Sequence, residues 1–478
     1  MALPARLVRQ LRRVVGRGSV ETGPAELLVY QSDGLTIHSA QPECVVYPTN
    51  TRECARIISL CHQAEVPFVA RGAGTGLSGG AIIDGGVIIQ LSRMNRVLAL
   101  YPADRYAVVQ PGVVNNYLSL QARPHGLEFA PDPSSQAVCT IGGNLAENAG
   151  GPHTLKVGVT ANHILGQTAV LPDGEIVQLG GPYPVAPGPD FSAFLVGSEG
   201  TIAITTEIIV RLMPLAPSTS TMLATYDSVG AATDSVSAIL GAGVLPAALE
   251  LIDKLCIQAV EANLKVGFPT DAMAILLIEL DGDQDEIAGQ TETIERVCRR
   301  QGAVDFRLAA DEKERQQLWL GRKHAVGAMG KISPGYYTND GVVPRSRLTD
   351  ILELVYRSGE HHGLRVANVC HAGDGNIHPL ILFDPDATGD LERALDCSRE
   401  ILRACLEMGG SLTGEHGIGI EKRELMESMY AASDLGHMQR LRKGFNQRNL
   451  LNPGKIFPLG ATCGEVRRPS PIPSGTWI

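Results

Sequence analysis

Residues 67–91 read Pro67-Phe-Val-Ala-Arg71-Gly-Ala-Gly-Thr-Gly-Leu-Ser-Gly-Gly80-Ala-Ile-Ile-Asp84-Gly-Gly-Val87-Ile-Ile-Gln-Leu91, and this stretch decides the fold. It contains Gly74-x-Gly76-x-x-Gly79, formally a dinucleotide fingerprint. That motif works only where a helix opens directly behind it, because the helix N-terminus meets the diphosphate. Here Asp84-Gly85-Gly86 turns instead into the apolar run 87–91, which is a strand, and no helix fits between. The Rossmann reading fails on context. A strand, a glycine loop and a second strand still make an anion cradle, since consecutive residues without side chains let backbone N–H groups converge on a diphosphate. Taken alone, a merely flexible loop explains the stretch equally well.

Outward from the loop, Val45-Val46-Tyr47 reads as a strand, and Pro48-Thr49-Asn50 leads into an amphipathic helix over 51–64. Asn50 and Glu53 stand in capping-box spacing. Runs 167–171 and 175–179 flank Pro172-Asp173-Gly174, a hairpin signal. Residues 214–219, rich in proline and serine, read as a linker. Beyond it helical patterns alternate with strands over 273–280 and 365–371, and a striped helix over 391–408 stops at Gly409-Gly410. The segment 1–18 carries arginines at 6, 9, 12, 13 and 17 and no acid, as a transit peptide does. Leu7, Leu11, Val14 and Val15 at helical spacing, with little serine, favour a surface amphipathic helix instead. Residues 467–478 read as a loose tail.

The chain has 478 residues, beyond the roughly 250–300 at which single cores stop growing, so two domains are expected. With 44% apolar and 19% charged residues it is an ordinary globular composition, not a disordered one. The formal charge of −10 and the lack of a basic run exclude a nucleic-acid partner. The same negative field opposes an anionic substrate, which must then meet local cations. None of the ten cysteines has C-x-x-C spacing, so neither a zinc ribbon nor an iron–sulfur cluster is indicated. They read as buried thiols, which places the chain in a reducing, cytoplasmic setting. No apolar run is long enough to span a membrane.

Two further glycine clusters change the weight of the first. One runs Pro131-Asp132-Pro-Ser-Ser135, Thr140-Ile-Gly142-Gly143-Asn144 and Asn148-Ala-Gly150-Gly151-Pro152; the other is Gly197-Ser-Glu199-Gly-Thr-Ile-Ala-Ile204. In this order and spacing the three clusters resemble the FAD-binding domain of the vanillyl-alcohol oxidase and p-cresol methylhydroxylase (PCMH) superfamily. The resemblance implies an α+β fold: a two-part FAD-binding domain of that type, followed by an α+β substrate-binding domain. It assigns Arg71, Gly72, Ala73, Gly74, Thr75 and Gly76 to the pyrophosphate. Pro131, Asp132, Ser135, Gly142, Gly143, Asn144, Gly150, Gly151, Glu199 and Ile204 fall along the rest of FAD. The first loop has no histidine, so FAD is expected without a covalent tether.

The sharpest constellation is Asn368-Val-Cys-His371-Ala-Gly-Asp-Gly-Asn-Ile-His378-Pro. Apolar β-type residues on both sides of Asp374-Gly375 predict a hairpin with a two-residue turn. Such a turn sets His371 directly opposite His378, with Cβ atoms ~4.5–5.5 Å apart. A catalytic metal generally takes three protein ligands, and Gly414-Glu415-His416-Gly417 offers a third. Any one of these histidines alone is more simply a satisfied structural residue; the opposed pair with a Glu-His step is less easily coincidence.

His371, His378, Glu415 and His416 resemble the C-terminal domain of the FAD-linked 2-hydroxy acid dehydrogenase family, which includes glycolate oxidase and the D-lactate and D-2-hydroxyglutarate dehydrogenases. The likeness covers most of 25–458. It implies that His371, His378 and Glu415 hold a divalent metal, zinc by preference, and that His416 is the base. It also implies that Arg322 in Trp319-Leu-Gly-Arg322 grips the substrate carboxylate through a fork of two hydrogen bonds. A surface salt bridge is the plain alternative for that arginine. Asn452, in Asn452-Pro-Gly-Lys455, matches the closing segment near the flavin. Thr338 stands where hydroxyglutarate enzymes carry a lysine for the second carboxylate, which implies a small monocarboxylate, glycolate or D-lactate.

The domains expected are a lead-in over 1–37, an FAD domain over 38–214, a substrate and metal domain over 215–459 and a tail over 460–478. Without Fe–S ligands of its own, the chain is expected to pass electrons to a partner or a quinone. FAD-binding and iron–sulfur partner subunits, and peripheral association with the inner membrane face through them, follow from the resemblance. A non-catalytic flavin carrier subunit, a hydrolase whose loops bind only phosphate, and an oxidase using oxygen are the other classes in play.

Overall fold

The computed structural model describes residues 3–183 and 188–459; the expected tail over 460–478 lies outside them. The chain forms two compact units. The first holds residues up to Gly151, Gly158–Leu215 and the chain from Glu415 onward, and the second holds Pro152–Val157 and Ala216–Gly414.

In the first unit, strands Val20–Glu21, Cys44–Val46, Val87–Gln90 and Phe68–Arg71 lie in that order in one sheet. Cys44–Val46 and Phe68–Arg71 both run parallel to Val87–Gln90. Residues 44–46 and 87–90 are buried throughout, as expected of parallel strands covered on both faces. Helix Thr51–Gln63 provides the crossover. Its Asn50 cap accepts from the Glu53 N–H at 3.0 Å, while Glu53 reaches back one residue further than a capping box requires, to the Thr49 N–H at 2.7 Å. The amphipathic helix Ala5–Val15 buries Leu7 and Leu11 in the same core. A second sheet is antiparallel, ordered Val97–Tyr101, Tyr106–Val109, Ile204–Arg211, Ile164–Val170, Ile176–Gly180.

The chain beyond Gly414 returns to this first unit, so the body expected over 215–459 is, as a compact unit, 216–414 with 152–157. The cause is an open strand edge. Phe68 donates its N–H to Leu450 O and accepts from the Asn452 N–H, both at 2.8 Å, and Leu451 is fully buried beside it. Pairing an edge strand in this way satisfies backbone groups that periodicity alone never reveals.

The second unit is one antiparallel sheet in the order Ala303–Leu308, Ser218–Tyr226, Ala274–Gly282, Ala248–Asp253, Arg365–His371, Asn376–Phe383, Gly335–Thr338. Helices Lys254–Asn263 and Glu312–Ala328 cover one face, packing Ile257, Val260, Leu318 and Ala325 on Ile252, Leu277, Val369 and Leu380. The linker is shorter than expected, because strand pairing resumes at Ser218.

The expected hairpin is present with a different register. His371 pairs with Asn376, and His378 with Val369, so the loop has four residues, Ala372–Gly375, rather than two. A shift of two residues keeps each side chain on its face. The two histidines are therefore diagonal neighbours on one face, their rings 5.1 Å apart between centroids and at 90°.

Candidate active site

In the first unit the glycine clusters meet. A Cβ at Gly72 would lie 2.4 Å from Thr140 Oγ1, one at Gly142 2.5 Å from Pro111 Cβ, and one at Gly151, where φ is +149°, 2.5 Å from the Asp132 carbonyl. These contacts are why side chains are excluded there. A cavity of about 840 Å³ opens between the loops, lined by Arg71, Gly72, Gln90 and Thr140 together with Tyr117 and Leu120. Its size and mixed lining suit a cofactor with an anionic middle and a flat apolar end. Buried polar atoms without a protein partner, Asn144 Nδ2, Gln90 Oε1 and Asn452 Oδ1, mark the same unit as one that receives a polar group.

The expected residues also take local structural roles. Arg71, mostly buried, lines the cavity and also holds its own loop. It donates to Ser32 O at 2.8 Å and Ala81 O at 3.4 Å, and a Cβ at Gly74 would strike its guanidinium at 2.4 Å. It braces the loop, while residues 72–76 keep accessible surface. Pro131 presents its carbonyl to Asn115 Nδ2 at 2.8 Å. Ser135 O caps the turn at Cys139, and Ile204 is a core side chain that opens its strand. Thr140 caps helix Ile141–Glu147 through the Gly143 N–H. Gly150 and Gly151 are buried.

Glu199 turns its carboxylate to the returning segment, accepting from the N–H groups of Ile418 and Gly419 at 2.7 Å each. The loop carrying Glu415 and His416 is thus fixed from its far side. Asn452 donates to Gly80 O and Glu199 O at 3.0 and 2.8 Å. Burial raises the Glu199 carboxyl and, with Glu199 beside it, raises that of Glu147 well above the ordinary range. Burial lowers the Lys455 ammonium to about 8. Glu415 and His416, half-buried, are the first residues of the segment that enters this unit.

The second unit brings together His371 and His378, from neighbouring strands of the sheet, and Arg322, from helix Glu312–Ala328 that covers the same face. Between them stands a residue the sequence reading missed. Glu250 is fully buried and pairs in register with His371. Its Oε1 lies 2.8 Å from His371 Nδ1, and its Oε2 receives Arg322 Nε at 2.6 Å and Nη2 at 2.5 Å. Burial pushes the Glu250 carboxyl up; Arg322 and His371 pull it down further, and the net direction is down. It is a carboxylate, so His371 donates its Nδ1–H to it, which leaves Nε2 as the ring nitrogen that can face an ion. His378 Nδ1 faces Asn339 O at 3.2 Å, which sets the same tautomer. Metal-binding histidines are held in this way, one ring N–H on a carboxylate or carbonyl and the other nitrogen presented to the ion. Ring nitrogens of the pair come within 4.8 Å of one another, as do a ring nitrogen of His378 and a carboxylate oxygen of Asp340. Asp340, also missed, ties the segment ending at Gly414 to the hairpin, accepting from Asn376 Nδ2 at 3.0 Å and the Gly414 N–H at 3.1 Å.

Known proteins match both parts of the chain. Residues 42–180 match the FAD binding domain family, and 215–456 match FAD linked oxidases, C-terminal domain. The chain is 44% identical over 441 residues to glycolate oxidase subunit GlcD of Escherichia coli (strain K12), covering 92% of this chain and 88% of that one. It is 36% identical over 450 residues to the subunit of that name from Bacillus subtilis (strain 168), covering 94% and 96%. A probable mitochondrial D-lactate dehydrogenase of Danio rerio is 32% identical over 467 residues, covering 96% and 93%. Among solved structures, p-cresol methylhydroxylase with substrate bound superposes with a TM-score of 0.79 at 17% identity, covering 95% and 97%. At that identity the likeness speaks for the fold, the two-domain PCMH-type architecture. No helix of the described residues is long and apolar enough to cross a membrane.

Proposed function

The chain belongs to the FAD-linked oxidase family, and from that premise we propose that it oxidises a small 2-hydroxy acid, glycolate or D-lactate, to the 2-oxo acid, beside a divalent metal held by His371, His378 and Glu415. The observation that carries the reading is the matched tautomers of His371 and His378. Each donates Nδ1–H to a buried acceptor, and each has Nε2 as the nitrogen that can face an ion. Glu415, the residue after the Gly414 that Asp340 anchors, is the third ligand in this reading. Nitrogen and carboxylate donors together suit zinc.

The glycine loops of the first unit would hold FAD, which would supply the hydride acceptor, and His371, His378 and Glu415 would hold a divalent cation, which would supply acidification of the substrate hydroxyl. His416 takes the hydroxyl proton, a role its near-neutral intrinsic pKa suits. Arg322 meets the carboxylate. Because Glu250 already engages its Nε and Nη2, it does so through Nη1 rather than the two-bond fork the sequence suggested. Thr338 pairs with Leu380, on the face that carries His378, and offers a neutral hydroxyl where the family resemblance puts the cation for a second carboxylate. That favours a monocarboxylate.

FAD is held without a covalent bond in this reading, since residues 71–80 contain no histidine. Electrons leave to a partner, an iron–sulfur subunit or quinone at the inner membrane face; two relatives are named as subunits. The test is anaerobic bleaching of the oxidised-flavin band by glycolate, D-lactate, L-lactate and D-2-hydroxyglutarate, with and without chelator. Bleaching by glycolate or D-lactate that chelator abolishes and zinc restores is the expected result. A flavin that no hydroxy acid reduces leaves a carrier subunit as the better reading.

A further inference from the structure

We propose that Glu250 is the positioning residue of the site, a single buried carboxylate that both sets His371 as a metal ligand and aims Arg322. The inference rests on the reading of His371 and His378 as ligands and deepens it. Glu250 divides its two oxygens between two clients. Oε1 takes the Nδ1–H of its cross-strand partner His371, and Oε2 takes Nε–H and one Nη2–H of Arg322, which descends from helix Glu312–Ala328. All three residues are at least 97% buried, since Glu250, Arg322 and His371 are 0%, 3% and 3% exposed. With water excluded, each must find its partner within the protein.

The geometry contains a built-in competitor. Arg322 Nη2 lies 3.4 Å from His371 Nδ1. Arginine donates only, and it does not lose its proton. While Glu250 holds both groups, the guanidinium spends its hydrogens on the carboxylate, and Nδ1 keeps its own hydrogen. With glutamine in place of Glu250, Arg322 claims the single amide oxygen, and the amide N–H₂ and the guanidinium are both left donating toward Nδ1. His371 then moves its proton to Nε2 and has no lone pair for a metal. The guanidinium charge, no longer offset, also repels a cation at the same place. Glu250 is in this sense what allows a cationic carboxylate clamp and a metal ligand to sit side by side. A carboxylate that merely fills space in the core has no such effect.

The test is zinc affinity, measured on the FAD-loaded protein stripped by chelator, by competition with a chromophoric chelator. Cobalt absorption serves as a spectroscopic check on the ligand set. Glu250→Gln, isosteric and uncharged, is expected to weaken zinc binding about 10- to 100-fold, the usual cost of losing a carboxylate behind a ligand histidine. Removing the competitor as well, in Glu250→Gln/Arg322→Met, is expected to return at least half of that loss on a logarithmic scale, while the KM for the hydroxy acid stays high. A merely structural role for Glu250 predicts that the second substitution makes matters worse. If Glu250→Gln does not accumulate folded, Glu250→Asp keeps the charge on a shorter arm and is expected to weaken zinc severalfold.

Unchanged zinc affinity in a folded Glu250 variant, or no recovery in the double variant, overturns the inference and leaves the ligand reading standing. A wild-type protein that binds no zinc or cobalt overturns the ligand reading, and the inference with it.

Discussion

A second carboxylate on the same sheet face allows a stability prediction with a sign and a size. Glu279 sits in strand Ala274–Gly282, 4% exposed, and receives Thr221 Oγ1 at 2.6 Å, Trp319 Nε1 at 2.5 Å, Arg315 Nη1 at 3.1 Å and His153 Nε2 at 3.1 Å. Burial pushes its carboxyl up, but His153, Thr221 and Arg315 pull it further down, from 4.5 to about 2. The folded value is depressed, so the stabilisation is complete above the unfolded value and is lost as pH falls through the folded one. At ~1.4 kcal/mol per unit, the shift corresponds to about 3 kcal/mol at neutral pH and about 2 kcal/mol near pH 3.5. Glu279→Gln removes the charge that Arg315 answers and gives up one of the two acceptor oxygens, so the loss at neutral pH should be of that order and should shrink as the solution is acidified. The chain has two tryptophans, Trp319 and Trp477. In a Trp477→Phe background, fluorescence during urea unfolding reports the unit that contains Trp319, which avoids treating a two-unit protein as one transition. A midpoint lower by about 1–2 M urea is expected. A cost below about 0.5 kcal/mol, the scale of an ordinary surface change, or a cost independent of pH, would refute the reasoning.

Asp253, on the opposite face of strand Ala248–Asp253, runs the other way. Burial raises it from 3.8 to about 6 despite bonds from the Asn368 and Cys256 N–H groups and Tyr356. A folded value above the unfolded one means stability falls as pH rises from about 4 to about 6, by about 3 kcal/mol. Asp253→Asn should flatten that slope in the same fluorescence assay, and an unchanged slope assigns it elsewhere. Gly151→Ala places a Cβ 2.5 Å from the Asp132 carbonyl at a φ of +149° that alanine rarely adopts. The protein should purify with most of its flavin absorbance gone and its far-ultraviolet circular dichroism kept; full flavin occupancy would show that the cradle tolerates movement there.

Local chemistry made much of the first unit legible. The glycine loop without a following helix, the strands on either side and the Asn50 cap all follow from what backbone and side chains can do within a dozen residues. The hairpin was legible as to face but not register. Alternation fixes which side of the sheet His371 and His378 occupy, and a two-residue shift leaves that unchanged; turn length depends on where pairing stops. Here Gly375 turns with φ +77° under the Val343 carbonyl, and Gly373 bonds back to Leu249, so partners distant in sequence lengthen the loop. The return of residues after Gly414 had no local signal, because what draws it is an unpaired edge created some 350 residues earlier by Phe68–Arg71.

Glu250 and Glu279 did have a signal. Both interrupt apolar strand runs, Ala248-Leu-Glu250-Leu-Ile and Ala274-Ile-Leu-Leu-Ile-Glu279-Leu. A run of that kind belongs in a sheet covered on both faces, where an ionised carboxylate survives only if cations and donors are brought to it. The sequence therefore announced two buried carboxylates in want of partners. It also offered Trp319-Leu-Gly-Arg322, an arginine and an indole three residues apart on one helix face. Joining the two assigns Trp319 to one carboxylate and Arg322 to the other, as the structure does. The arginine then cannot be a free clamp awaiting substrate, because two of its five N–H donors were claimed when the sheet formed. Its orientation toward substrate is a property of the strand beneath it, and a substitution at Glu250 should be read as one in the site.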